Sequence, residues 1–295
     1  MNQATFIGVL AIVLWSVVVG LIRSITDQVG ATAGAALIYS FAAVLLIIHG
    51  RGLGRRKITP RYFIIGGTLF VSYEVCLALA IGQSSGPTQA IEVSILNYLW
   101  PPLTAVLAVF VLKKPAKWLL WPGLFCSLWG VYTVLSGTVA PDLSAVTERI
   151  ASHPTVYLLA FLGAIFWSLY CVATPILTQG KSSSVTAFFA ATAIVLWTKY
   201  FLEDAPAFSV SLGVLIEITC ASLAIGLGYA FWNIGLQRGN VTLLAGLSYF
   251  TPVLSSVFAS IYLSTQLNQS FWMGALMVSF GSILGWIATR NPNRQ

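Results

Sequence analysis

The 295 residues are 58% hydrophobic and only 8% charged, with a mean hydropathy of +0.87, whereas a soluble domain carries roughly 25% charged residues; a water-soluble fold is excluded. Net charge +7 would point to nucleic acid in a soluble protein, but here the basic residues sit between apolar runs rather than on an amphipathic face. No nucleic-acid partner is expected, and the charge reports orientation in lipid instead.

From the N-terminus, MNQATF has no basic residue ahead of the apolar run Phe6–Ile22, so a cleaved secretory signal is a poor reading and the first helix is expected to stay. A membrane helix needs about 20 mostly apolar residues. Breaks at charge, Pro and Gly clusters place helices near 5–22, 32–49, 62–82, 88–112, 117–136, 155–178, 184–202, 210–236, 240–264 and 268–289. The fold class is therefore all-α membrane protein with ten transmembrane helices, divided as 1–138, an extracytoplasmic connecting loop 139–154, and 155–295.

With ten spans the termini share a side with the even connections. That side holds Arg51, Arg55, Arg56, Lys57, Arg61, Lys113, Lys114, Lys117, Lys181, Arg238, Arg290 and Arg294, against Arg23, Arg149 and Lys199 on the other. The positive-inside rule makes both termini cytoplasmic. Because five is odd, any likeness between halves implies an inverted repeat. AIVLWS ends at Ser16 and GAIFWS at Ser168; LNYLWP ends at Pro101 and LSYFTP at Pro252. The near-equal offsets argue for duplication, an arrangement typical of secondary transporters with a midplane substrate site.

Pro101, Pro102 and Pro252 would free the carbonyls of Asn97, Tyr98 and Ser248, which is tolerable in lipid only beside protein or a water-lined cavity; a plain packed kink is the alternative. At the same depth lie Trp15, Tyr73, Tyr98, Trp100, Trp167, Tyr229, Trp232, Asn233 and Tyr249, as a cavity lining or as ordinary packing and lipid contact. Trp118 and Trp121, at a helix end, fit an interfacial belt. Glu74 is the deepest of three intramembrane carboxylates, and could bind an ammonium, carry a proton or pair structurally; Glu92 and Glu217 are shallow enough to face water. No Lys or Arg lies near mid-membrane, which disfavours phosphorylated substrates. An amine or zwitterion fits better, with Asn97 or Asn233 for a carboxylate. Pro101 and Pro252, with Gly82, Gly226 and Gly228, would let the third, fourth, eighth and ninth helices swing as gates.

Cys76, Cys126, Cys171 and Cys220 have no CxxC or histidine partners, so neither disulfides nor metal are expected. The absence of GxxxxGK[ST] argues against ATP hydrolysis by this chain, and no cofactor is expected. An intramembrane hydrolase is the rival class. Ser248 in GLSY would be its nucleophile, but His49 and His153 lie at helix edges or in a loop, so no base is available. Gly281 and Gly285 form a GxxxG in the last helix, read as intramolecular packing.

Two five-helix halves, each with Trp-Ser in its first helix and proline in its fourth, resemble the drug/metabolite transporter superfamily and its EamA-type domains. The blocks FVSYEVCLAL, QAIEVSILNYLWP, FLGAIFWSLYC, GNVT, SYFTPVLSS and FWMGALMVSFGS are similar to those of a bacterial aromatic amino acid exporter of that superfamily. The resemblance implies an inner-membrane exporter, not an enzyme, working as a single chain among lipids on aromatic amino acids, with cationic aromatic drugs such as paraquat as the alternative cargo. Where many EamA-type halves carry a glutamate after the fourth-helix prolines, this sequence has roughly Lys114 and Thr265, and its first helix lacks the acidic residue of small multidrug exporters. Roles for those carboxylates do not carry over.

Overall fold

The structure is a computed structural model describing residues 3–50, 59–113, 115–140, 142–178, 185–203 and 205–289. Among the described residues every regular element is helical. Among the described residues eight stretches are long and apolar enough to cross a membrane, namely 3–29, 31–48, 62–82, 87–112, 154–178, 185–202, 212–232 and 269–289, and Leu120–Ser136 and Thr251–Tyr262 are shorter apolar helices.

The first stretch is α1 (Gln3–Ser16) and α2 (Val18–Val29). The Ser16 hydroxyl donates back to the Ile12 carbonyl at 2.8 Å, a bond that competes with the helix ladder and bends helices. This stretch runs past the expected end at Ile22. Arg23 does not stop it because its guanidinium is paired with Asp27 one turn on and donates to the Ser84 carbonyl, so the charge is matched within the helix end.

The chain continues through α3 (Ala31–Gly50) and α4 (Gly67–Gly82), the latter preceded by a π-helical turn at Tyr62–Gly66. The fourth stretch is broken into α5 (Pro87–Asn97) and α6 (Trp100–Leu112), followed by α7 (Leu120–Ser136). The second part holds α9 (Pro154–Thr178), α10 (Val185–Leu202) and α11 (Leu212–Arg238), then a second broken stretch, α12 (Val241–Ser248) and α13 (Thr251–Tyr262), and α14 (Gln269–Thr289). Between the two parts, the stretch 139–154 expected as a loop contains α8 (Leu143–Ser152). Asp142 caps it by accepting the Ala145 N–H at 3.0 Å, a start signal the hydropathy reading passed over because the segment is polar.

The helices pack antiparallel in pairs. In α7 and α14, a Cβ on Gly123 would meet the Gly281 carbonyl at 2.8 Å and one on Gly130 the Gly274 carbonyl at 2.6 Å; only glycine lets the two backbones approach so closely. Of the GxxxG residues, Gly281 faces this seam and Gly285 faces Ala105 and Pro102 of α6, so both pack intramolecularly. Helix α1 lies along α11 by the same means, with Gly235 against the Gly8 backbone and Gly228 against Trp15. Helix α4 runs along α9, where Phe70 is fully buried and rings with Trp167 and Tyr170, and α3 runs along α10.

Contacts sort the connections to two ends. At one end Thr32 meets Glu203, Asn268 meets the Gly137 carbonyl and Arg149 meets Glu92; at the other, Thr59 reaches Leu177, Lys117 reaches Ala288 and Thr5 reaches Asn240. Large apolar side chains such as Phe110, Phe125, Ile194 and Ile261 are exposed on the outside of the bundle, where lipid tails would meet them.

Two outcomes follow from the packing. Gly130→Val should cost about 1–3 kcal/mol through overpacking, read as a lowered melting temperature in detergent, whereas Gly246→Ala, with nothing within 4 Å of the added Cβ, should leave it within ~1 kcal/mol. The Ser144 hydroxyl and Ala145 N–H hold the Asp142 carboxyl below its usual range. Its cap on α8 is therefore complete above the ordinary aspartate pKa of about 3.9 and is lost as pH falls through the depressed value. Amide exchange across residues 143–147 should accelerate over that window, and no such change should occur in Asp142→Asn.

Candidate substrate site

The two broken stretches meet inside the bundle, where α13 packs against α5. Helix α5 ends at Asn97 and α6 begins at Trp100 with Pro101 and Pro102 in its first turn; α12 ends at Ser248 and α13 begins at Thr251 with Pro252 in its first turn. Proline is tolerated at the start of a helix because the N–H it lacks has no partner there. The sequence predicts interruptions at these prolines with a plain packed kink as the alternative, and in the structure each span is broken and a new helix starts at them. The Thr251 hydroxyl takes the Ser248 carbonyl at 2.6 Å, so one freed acceptor is satisfied locally.

Beside these breaks lies a cavity of about 350 Å³, within the roughly 300–1,000 Å³ of small-molecule sites. Its wall takes in eight of the aromatic residues expected there: Trp15, Tyr73, Tyr98, Trp100, Trp167, Tyr229, Trp232 and Tyr249. The rings hold one another at contact distances. Tyr73 and Trp167 have centroids 4.5 Å apart, Trp15 is 5.3 Å from Tyr229 and 5.4 Å from Trp232, and Trp100 meets Trp167 edge-on at 6.3 Å. Offset and edge-on ring pairs at 4.5–7 Å are favourable beyond their area burial, so the lining is a braced aromatic shell.

Glu74 also lines the cavity and is 4% exposed. Its two carboxylate oxygens accept the hydroxyls of Tyr39 at 2.7 Å and Tyr229 at 3.0 Å. Tyr39 was not singled out in the sequence, since a tyrosine inside the apolar run of α3 looks like packing. Cys171 and Thr251, also on the wall with Ser248, gave no sequence signal beyond their place near aromatic or proline residues.

Other expected site residues lie elsewhere. Asn97 is buried away from the cavity and its amide donates to the Ala160 carbonyl at 3.2 Å, fastening α5 to α9. The side chain of Asn233 lies outside the described residues. Of the expected hinges, Gly82 ends α4 against Ala31, Gly226 has only ordinary contacts near Leu46, and Gly228 sits under Trp15, whose Nε1 would be 2.5 Å from an added Cβ. The glycine at 228 is thus required by the Trp15 ring. Glu92, expected to face water, is 4% exposed and ion-paired with Arg149. Glu217, partly exposed, accepts from Ser24, Gln28 and Tyr262.

A second, more open cleft of about 490 Å³ lies at the end carrying Glu92, bounded by Gln89, Glu92, Arg149, His153 and Tyr157 among others. Trp118 is 75% exposed and belongs to neither cavity.

The sequence aligns over 98% of its length with aromatic amino acid exporter YddG of Salmonella typhimurium (strain 14028s), at 46% identity and with 98% of that protein covered; the EamA-like transporter family model matches residues 154–286. The chain belongs to the EamA-like transporter family. Aromatic amino acid exporter YddG of Escherichia coli (strain K12) is 45% identical over the same shares, and that of Ancylobacter novellus 28% identical over 87% of each chain. A crystal structure of a protein superposes at TM-score 0.70 with 22% identity, covering 98% of both chains, which bears on the fold alone. As an EamA-like transporter this is a multi-pass membrane protein that carries a small molecule, and it is not an enzyme.

The geometry makes Cys171 a reporter of the cavity. In a variant whose only cysteine is Cys171, a small water-soluble thiol reagent should react faster than in one retaining only Cys76, which is 8% exposed and does not line the cavity; labelling rates in detergent micelles check this.

Proposed function

We propose that this chain exports aromatic amino acids from the cytoplasm across the bacterial inner membrane, taking them into the aromatic cavity and releasing them outside by alternating access. The observation that carries the reading is the shell formed by Trp15, Tyr73, Trp100, Trp167 and Tyr229, in a chain 45–46% identical to two proteins named as exporters of such solutes. Flat ring faces bury an aromatic side chain well, and the shell is drawn from helices on both sides of the connecting segment.

On this reading the ten helices form two inverted halves related by an offset of about 151. Several features support it. Ser127 donates to the carbonyl of Val278, and Cys126 to that of Met277, each across a separation of 151, as expected where a pseudo-twofold axis passes between equivalent helices. The two helix breaks fall at equivalent positions, as do the left-handed residues Lys113 and Ser264. Ser16 donates to Ile12 as Ser168 does to Ala164.

The same symmetry pairs two closures. Tyr157, at the start of α9, contacts Gln89 at 3.3 Å, and Thr5, at the start of α1, contacts the Asn240 amide at 2.8 Å. These lie at opposite ends of the bundle, and parting either one, with bends near Pro101 or Pro252 and near Gly82, Gly226 or Gly228, would open the cavity to that side. Orientation rests on the basic residues, and puts the Thr5–Asn240 end and both termini in the cytoplasm.

Flux of labelled phenylalanine and tryptophan into proteoliposomes containing only this protein tests the function. Saturable flux is expected, with apparent affinity falling about tenfold or more, ~1.4 kcal/mol, in Trp167→Ala and Trp100→Ala and unchanged in Trp118→Ala. Absence of saturable flux in wild type would refute the export reading. For orientation, a single cysteine at Asp142 should react with an impermeant thiol reagent in intact cells while one at Lys117 should not; the reverse pattern would invert the topology.

A further inference from the structure

Among the described residues Glu74 has no counter-ion. The described basic residues nearest to matching it in burial are engaged elsewhere: Arg23 with Asp27 and the Ser84 carbonyl, Arg149 with Glu92, Lys199 with Glu203. Among the described residues no Lys, Arg or His lines the cavity that Glu74 faces. A buried carboxylate is normally held by an ion pair as well as by hydrogen bonds, because desolvating it costs far more than one or two neutral donors return. Ionised, it can accept about four hydrogen bonds. Tyr39 and Tyr229 supply two, one to each oxygen, which leaves acceptor positions on the cavity side.

The two tyrosines also fix where the carboxylate points. They come from α3 and α11 and Glu74 from α4, so three helices converge on one group. Tyr229 packs against Trp15, Trp167 and Phe189 at 5.3, 6.2 and 5.4 Å, and Tyr73, the neighbour of Glu74, lies on Trp167. A cation at the carboxylate would sit among ring faces, which attract positive charge. The polar groups on the rest of the wall, Tyr98, Ser248, Tyr249, Thr251 and the indole N–H groups, are neutral.

We infer that Glu74, held by Tyr39 and Tyr229, is the subsite for the amino group of the solute, and that the cavity therefore also accepts aromatic primary amines that lack a carboxylate. The inference rests on the export reading and sharpens it. The site offers one negative charge and no positive one, so it complements the ammonium and gives a substrate carboxylate only neutral donors. Removing the carboxylate from phenylalanine should cost little; removing or masking the amine should cost most of the affinity.

The test uses the full chain in two arms. In proteoliposomes with equal, strongly buffered pH on both sides, labelled phenylalanine flux is challenged with phenethylamine, 3-phenylpropionate and N-acetylphenylalanine. Phenethylamine should inhibit within about threefold of the concentration at which unlabelled phenylalanine does, and the other two should need at least about tenfold more. In the second arm, thermal stabilisation of the detergent-solubilised protein by phenethylamine is compared in wild type, Glu74→Gln and Glu74→Asp. Stabilisation should be lost in Glu74→Gln and retained, though weakened, in Glu74→Asp. Equal inhibition by 3-phenylpropionate, or stabilisation by phenethylamine that survives Glu74→Gln, overturns the inference while leaving phenylalanine export standing. If wild type shows no phenylalanine flux, the export reading fails, and the stabilisation arm still decides whether Glu74 binds the amine.

Discussion

The interaction on which the rest of the structure depends is the backbone hydrogen bond that a membrane helix cannot afford to lose. In hydrocarbon each unsatisfied N–H or C=O costs several kcal/mol, so the interruptions at Tyr98–Leu99 and Tyr249–Phe250 can exist only where something else meets the freed groups. The Thr251 hydroxyl takes the freed Ser248 carbonyl, and the Ser168 hydroxyl of α9 reaches the Trp100 carbonyl, which ties the restarted helix α6 to its neighbour. Both breaks border the cavity, with Tyr98, Trp100, Tyr249 and Thr251 on its wall. The position of the cavity thus follows from where the helices are broken, and the aromatic shell follows from what can be packed at that place.

Against this constraint the close helix pairs act as the fixed frame. Glycine seams at α7–α14 and α1–α11 bring backbones together where lipid gives no hydrophobic drive for association and only close packing holds the helices. The seam between α7 and α14 lies where Ser127 meets Val278, so a rocking motion of the two proposed halves would pivot there and leave the seam intact. The broken stretches, α5–α6 and α12–α13, already lack continuous helix at their breaks and so lose less on bending there.

Much of this was legible in the sequence for a physical reason. Apolar length sets membrane helices, proline and glycine punctuate them, and eight aromatic residues at one depth can only converge if the helices bundle. What escaped was whatever depended on the partner across the bundle. Arg23 read as a helix stop until Asp27 and the Ser84 carbonyl neutralised it. Asn97 read as a solute ligand, yet it faces the Ala160 carbonyl; an amide beside proline looks the same in sequence whether it points to a cavity or to a neighbour. Glu92 read as water-facing because depth was counted along one helix, and its pairing with Arg149 comes from α8, which polar composition hid. Tyr39 carried no signal, since a hydroxyl in an apolar run declares its acceptor only in three dimensions. The family resemblance supplied the cargo, which no spacing of residues could have named.

The end of the bundle bearing Glu92 is closed by charge as well as by neutral hydrogen bonds, which bears on the transport cycle. At one end the described contacts, those of Asn240 with Thr5, Thr59 with Leu177 and Lys117 with Ala288, are hydrogen bonds to neutral hydroxyl or carbonyl acceptors. At the other, the equivalent contact of Tyr157 with Gln89 is joined by the Glu92–Arg149 pair, to which Tyr157 also donates at 3.3 Å, and Arg23 adds its bond to the Ser84 carbonyl. Separating a partly buried ion pair costs more than separating a neutral hydrogen bond. Under alternating access, opening the end bearing Glu92 must part that ion pair, while the Thr5 end is the proposed cytoplasmic side. An exporter loads from that side, and a solute can shift the equilibrium only by binding the outward-opening state more tightly than the inward-opening one.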